Sequence, residues 1–364
     1  MPSSPSYAYR HHLLATLLQQ QNTSQFTNRF QVDSGLEHRS KSEPSTEFPL
    51  SVALDVKLLH AWSTSFKHRD QDALRHLDNL RVNQADFEVL GRLGDGQFGV
   101  VNAVRCKLNE QVYATKTMKK FAVSRAGPHL SLGLERHIHL LAHAEQDPPI
   151  PELVFAFQTE TSVSLVTTYA DCGSLWDRSC SLSLVEDTPG RMSETEVKYW
   201  AVQMVEAIAW VHGHGFVHRD IKPHNFLVTS QPRLLLTDFG SAAVLQDPPT
   251  SSANRRARVS YDSCLLPVGT PDYIAPEILR IAESALVEAA ESVSGPSSHQ
   301  ADSVGYDLTV DWWSLGATLY EMVIGKGPFL APTIQETYNK LIDYNGHFGM
   351  PASISPDMRN LLQG

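Results

Sequence analysis

The sequence predicts an α+β fold in two lobes, a small antiparallel β-sheet lobe followed by a larger, mainly helical lobe. Three observations lead there. Apolar and polar residues alternate with the two-residue period of strands over Phe87 to Leu93, Val100 to Cys106, Val112 to Met118, Leu153 to Gln158 and Ser162 to Val166. From residue 193 onward the apolar residues recur instead at helical spacing, most clearly over 193–212 and 311–325. Within that helical part, residues 218–240 gather Asp220, Lys222, Asn225 and Asp238, two acids, a cation and an amide, in a compact loop-strand-loop.

Composition narrows the function classes. The chain has 364 residues, 42% hydrophobic and 19% charged, enough for one large two-lobed domain. Its net charge of −10 argues against nucleic acid as the main partner, because a phosphate backbone selects basic surfaces, and suits basic peptides and proteins instead. Cys106, Cys172, Cys180 and Cys264 lack the paired spacing of a zinc site or a disulfide framework, which points to a reducing compartment. No stretch approaches the roughly 18 apolar residues of a membrane span, and the run from Leu13 to Leu18 is too short for a secretory core. A cytoplasmic chain without an integral membrane segment is expected.

Residues 1–47 are rich in Ser, Gln, Pro and Thr, cannot bury enough surface to offset their ordering entropy, and are expected to be disordered. Residues 48–82 read as a helical extension of two short helices, one carrying Leu54, Leu58, Trp62 and Phe66 and the other Leu74, Leu77 and Leu80. Their apolar faces need cover from the domain, from each other or from a second chain. The domain proper is expected over 83–364, with the sheet lobe at 83–168 and the helical lobe at 169–364.

Between the first two strands lies Leu93-Gly94-Asp95-Gly96-Gln97-Phe98-Gly99-Val100-Val101. Glycines there let a backbone approach phosphates closely. The run has no helix after its third glycine, which separates it from the dinucleotide-binding turn. Beyond the sheet, Ser193-x-x-Glu196 forms a capping box for a helix whose stripe is Val197, Trp200, Ala201, Met204, Val205, Ile208 and Ala209, stopped by Gly213-His214-Gly215. This rod leads into His218-Arg219-Asp220-Ile221-Lys222-Pro223-His224-Asn225. Asp220 is the candidate to orient or accept the proton of an attacking hydroxyl, with Lys222 offsetting negative charge. Asn225 and Asp238 offer the hard oxygens that Mg²⁺ prefers. His218 and Phe239 read as packing residues beneath the site.

These strings, with Asp238-Phe-Gly-Ser-Ala-Ala243, Leu266-Pro-Val-Gly-Thr-Pro-Asp-Tyr-Ile-Ala-Pro-Glu277, Asp311-Trp-Trp-Ser-Leu-Gly316 and Glu336-Thr-Tyr-Asn-Lys340, resemble the AGC-type protein Ser/Thr kinases. The similarity is greatest to the myotonic-dystrophy-kinase, Rho-associated-kinase and citron-kinase branch. The resemblance implies the bilobal protein-kinase fold, ATP and Mg²⁺ as cofactors and protein substrates. It implies that Leu93, Gly94, Asp95, Gly96, Gln97, Phe98, Gly99, Val100, Val101, Ala114, Lys116, Thr167 and Leu227 contact the nucleotide, with Lys116 on the phosphates and Glu135 holding it by an ion pair. Asn225 and Asp238 become the metal ligands, Asp220 and Lys222 the catalytic pair, and Asp311 a tie to the catalytic-loop backbone. Thr167 is a small residue at the position gating the space behind the adenine, within a hinge expected at Thr167 to Ala170. Residues 50–82 correspond to a dimerisation extension, which implies a homodimer, and a role in actomyosin control follows by analogy.

Departures from the family pattern carry expectations of their own. The acid usual just beyond the hinge is Ser174, and the glutamate usual before the metal-binding amide is His224, so preference for arginine upstream of the acceptor should weaken. Gly133 just before Glu135, and His139 one turn after it where an apolar residue would pack better, suggest a helix that is easily displaced. Arg219 is expected to bind a phosphate on the activation segment, with Ser263 favoured among Thr250, Ser251, Ser252, Ser260 and Ser263. Residues 281–305 read as an insertion of surface helix and loop. The chain stops at Gly364 before the arginine that the resemblance pairs with Glu277, leaving the helical lobe incomplete at its C-terminal end. The alternative to an active kinase is a catalytically silent kinase-fold scaffold.

Overall fold

In the computed structural model, residues 82–96, 99–125, 132–182, 191–246, 257–291, 305–346, 350–351 and 354–363 are described. The expected tail at 1–47, the helices and dimer segment at 50–81, Gln97 and Phe98, Thr250 to Ser252 and residues 292–304 of the insertion lie outside them.

The chain divides into two compact units. One holds Met1–Lys120 and Leu153–Tyr169, the other Phe121–Glu152 and Ala170–Gly364.

The first unit is an antiparallel sheet in the order β1-β2-β3-β5-β4, built from β1 (Phe87–Gly96), β2 (Gly99–Cys106), β3 (Val112–Lys119), β4 (Leu153–Gln158) and β5 (Ser162–Thr168). Strand alternation sorts its side chains. One face carries a core of Cys106, Phe155, Phe157 and Val166 with Phe87 and Tyr113 against it, the Phe87 and Phe157 rings stacked at 5.5 Å. β5 continues through Thr168, which pairs with Tyr113, and Thr167 pairs with Ala114. The expected hinge therefore begins after the two threonines, because ladder hydrogen bonds extend the strand past the apolar run that signals it.

The second unit opens with α1 (Lys120–Arg125, its first residue in the sheet unit) and α2 (Leu132–His143), and continues with α3 (Leu175–Leu182) and α4 (Glu194–Gly213). Then follow the short strands β6 (Phe216–Val217), β7 (Phe226–Val228), β8 (Leu234–Leu236), β9 (Ala243–Gln246) and β10 (Arg258–Val259). Helices α5 (Pro276–Glu291), α6 (Thr309–Ile324), α7 (Ile334–Ile342) and α8 (Pro356–Gln363) complete it. Residues 281–291 of the expected insertion simply prolong α5, with Leu286 and Val287 exposed.

Ile138 and Ala142 of α2 are fully buried in the core formed by Val197, Trp200, Met204 and Ile208 of α4 and Leu315 and Leu319 of α6. This burial groups α2 with the helical unit, whereas a division at Thr168 assigns it to the sheet. The helix is also better anchored than its sequence suggests. Buried His139 donates from Nδ1 to the Pro151 carbonyl at 2.7 Å and meets the Phe239 ring edge-on at 5.3 Å. On α4 the expected stripe is narrower than read, since Val205 is 43% exposed and Ala209 is also exposed. Ser193 caps that helix by accepting the Glu196 N–H, but its hydroxyl donates to the Glu196 carboxylate, so the reciprocal half of the box is replaced by a side-chain bond.

Candidate active site

The catalytic loop is shaped from below. Asp311, fully buried on α6, accepts the backbone N–H groups of His218 at 2.8 Å and Arg219 at 2.7 Å, and its Oδ2 lies 2.8 Å from His212 Nε2. This clamp offsets a strained backbone. Arg219 has φ +67° and Asp238 φ +65°, left-handed conformations that cost a non-glycine residue about 1–3 kcal/mol each. His218 is spent on structure, accepting the Asp220 N–H at Nδ1 (3.2 Å) and donating from Nε2 to the Thr237 carbonyl (3.0 Å), with its ring against Phe239.

Asp220 emerges with its carboxylate oriented from both oxygens. Oδ1 accepts the Thr270 hydroxyl at 2.7 Å and the Thr270 N–H at 2.9 Å, and Oδ2 accepts Lys222 Nζ at 2.8 Å and Asn225 Nδ2 at 3.2 Å. Lys222 also donates to Thr270 Oγ1 at 2.8 Å. Thr270 reaches the loop because Gly269 precedes it. At φ +117° a side chain there is strained, and its Cβ would lie 2.6 Å from the Arg219 carbonyl. The result is an oriented carboxylate beside a lysine, suited to hold a hydroxyl and take its proton while the cation offsets charge on the group being transferred.

Asn225 uses its amide nitrogen twice, on the Asp220 carbonyl at 2.7 Å and on the carboxylate, so its carbonyl oxygen is the end left for a hard cation. Asp238 supplies a second hard oxygen from its left-handed turn. These donors fit Mg²⁺.

In the sheet unit, register places Val101, Ala114, Lys116 and Thr167 on one face, whereas Val100, a nucleotide candidate paired with Thr117, falls on the other because neighbouring residues of a strand alternate. Val101 pairs with Lys116, Ala103 with Ala114 and Ala114 with Thr167, and directly paired residues share a face, the one opposite the aromatic core. Gly94 pairs with Val101. A Cβ on Gly94 would meet nothing within 4 Å, so the chain's own packing does not demand this glycine, as befits a cradle for a ligand. A Cβ on Gly99 would lie 2.3 Å from the Thr117 carbonyl, so close strand approach requires that one. Leu93 and Asp95 are exposed on β1, and Val100 is half-buried on β2. Leu227 lies on β7 and Glu135, buried, on α2, both in the helical unit; Lys116 belongs to the sheet unit.

Arg219 reaches the activation segment at the Ser263 carbonyl. Its buried guanidinium donates to the carbonyls of Ser241 (2.5 Å), Ser263 (2.8 Å) and Ala242 (3.4 Å) and to the Tyr306 hydroxyl (2.9 Å). Four neutral oxygens thus surround this guanidinium. Tyr306, whose hydroxyl burial pushes up to about 12, and His212 escape a reading by motif because each meets the loop only through tertiary contact.

Around the loop, Ser174 is a helix cap. Its N–H and hydroxyl donate to Asp177 Oδ2 at 2.8 and 2.7 Å, and its Oγ accepts the Asp177 N–H at 3.1 Å, closing a reciprocal box at the start of α3. Glu321 accepts the Tyr273 hydroxyl, and burial pushes both groups up from their ordinary values. His224 stacks on Trp176 with ring centroids 4.6 Å apart.

Comparison with known proteins agrees with this geometry. The protein kinase domain family matches residues 87–364. Citron rho-interacting kinase of Rattus norvegicus is 33% identical over 310 residues, 85% of this chain and 13% of its own length. Rho-associated protein kinase 1 of Homo sapiens is 31% identical over 300 residues, 82% of this chain and 19% of its own. Serine/threonine-protein kinase MRCK alpha of Mus musculus is 32% identical over 326 residues, 86% of this chain and 17% of its own. The chain therefore spans less than a fifth of the length of these relatives. The chain belongs to the protein kinase domain family, on its AGC-type serine/threonine side.

Proposed function

We propose that this chain transfers the γ-phosphate of ATP to serine or threonine hydroxyls of protein substrates. The observation that carries the reading is the Asp220 carboxylate, held by Thr270, Lys222 and Asn225. Asp220 orients the acceptor hydroxyl and receives its proton, and Lys222 offsets charge on the transferred phosphoryl group. The bond from Lys222 to Thr270 favours Ser and Thr over Tyr as acceptors. Asn225 and Asp238 are assigned to Mg²⁺, which when bound neutralises phosphate charge. The backbone from Gly94 to Gly99 and Lys116 are assigned to the phosphates, Glu135 to support of Lys116, and Leu93, Val100, Val101, Ala114, Thr167 and Leu227 to the rest of the nucleotide. With Ser174 spent on a cap and Glu321 on Tyr273, selection for arginine upstream of the acceptor is weak.

The relatives' names tie them to Rho, and by that analogy we place the activity in cytoskeletal, actomyosin control in the cytoplasm, with residues 50–82 as a homodimer contact. No helix among the described residues is long and apolar enough to cross a membrane. Transfer from γ-labelled ATP to a generic protein tests the reading. Wild type should label Ser and Thr, and Asp220→Asn should lower the rate about a hundredfold to ten-thousandfold. Equal labelling by the two proteins would overturn it.

A further inference from the structure

We propose that His224 and Trp176 together form an aromatic platform that selects an uncharged, large apolar or aromatic side chain of the protein substrate close to the phosphoacceptor. The inference rests on the kinase reading above.

Position comes first. His224 sits in the tight turn Pro223–Asn225, whose last residue is locked onto Asp220 by two hydrogen bonds. The imidazole is thereby fixed four residues along the loop from the carboxylate that orients the acceptor. Its ring lies at 18° to the Trp176 indole, and His224 is exposed, so the stack presents an apolar surface to an incoming chain. Trp176 is equally fixed, since it stands in the first turn of α3, which Ser174 and Asp177 cap reciprocally and which packs on the same turn. Neither ring depends on a mobile loop.

Charge points the same way. The two acids beside it are engaged: Asp220 by Thr270, Lys222 and Asn225, and Asp177 at Oδ2 by Ser174. An aromatic or long aliphatic side chain arriving here extends the stack.

A peptide library with serine as acceptor and one flanking position fixed at a time, phosphorylated by the full chain, tests this. At one position near the serine, Phe, Tyr, Trp, Leu or Met should be favoured about tenfold over Arg, Lys, Asp and Glu, a discrimination within reach of an apolar contact. Trp176→Ala should flatten that preference and Trp176→Phe should restore it. His224→Glu should turn it toward Arg, and, being an exposed change, carries the test if Trp176→Ala fails to fold. Selection of Arg by the wild type, including selection abolished by Asp177→Ala, would overturn the platform. So would one profile shared by wild type, Trp176→Ala and His224→Glu. Transfer with a flat profile removes the platform and leaves the kinase reading standing; no transfer to peptide or protein removes both.

Discussion

Thr167 and Glu277 show how much a single residue's surroundings decide. Thr167 shares the sheet face of Ala114 and Lys116 and is short. ATP-competitive inhibitors with a bulky group reaching past this position should bind the wild type and lose affinity in Thr167→Met, while KM for ATP stays close to wild type. Inhibition titrations at fixed ATP would show it, and unchanged inhibitor affinity would count against the assignment. Glu277, at the start of α5, is raised from its ordinary value by burial, with Asp307 adding to the shift and Arg280 opposing it. A carboxylate raised in the folded state disfavours folding most at pH values above its folded pKa, and the penalty fades as pH falls through that value toward the unfolded one. Glu277→Gln should therefore raise the melting temperature by about 2 °C at neutral pH and change it little under acid conditions where both states are protonated. A loss of stability at neutral pH would show that an ionised Glu277 is favourable.

At the scale of elements, α2 is where sequence and structure diverge most. Gly133 and His139 read as weak points, and propensity does penalise the glycine by about 1 kcal/mol relative to alanine. Tertiary packing outweighs it. Ile138 and Ala142 are buried in the helical unit's core, and His139 is satisfied by the Pro151 carbonyl. Hydrogen exchange should accordingly find the amides of residues 136–142 protected to within about tenfold of the central α4 helix, because buried, hydrogen-bonded segments open least. Exchange at loop-like rates would restore the picture of a readily displaced helix. The same lesson applies to Ser174, whose loss of charge relative to the family pattern is matched by a gain as a helix cap.

At the scale of the molecule, period and local chemistry were legible in the chain alone. Alternation located all five strands of the sheet because pleating imposes a two-residue repeat, and the heavily buried α6 showed itself as an almost unbroken apolar run. The identities of Asp220, Lys222, Asn225 and Asp238 were legible for a different reason: proton transfer and cation binding accept few residue types, and their spacing within one loop is short. Tertiary structure alone decided which partners those residues take. Thr270 reaches Asp220 across 50 residues, His212 reaches Asp311 across 99, and Tyr306 joins Arg219 across 87. Such pairings depend on which buried donor meets which acceptor once the core has closed, and no local repeat records that. The strength of α2, the neutral clamp on Arg219 and the seating of His224 on Trp176 were all decided there, because burial obliges every polar group to find whatever partner the fold brings near.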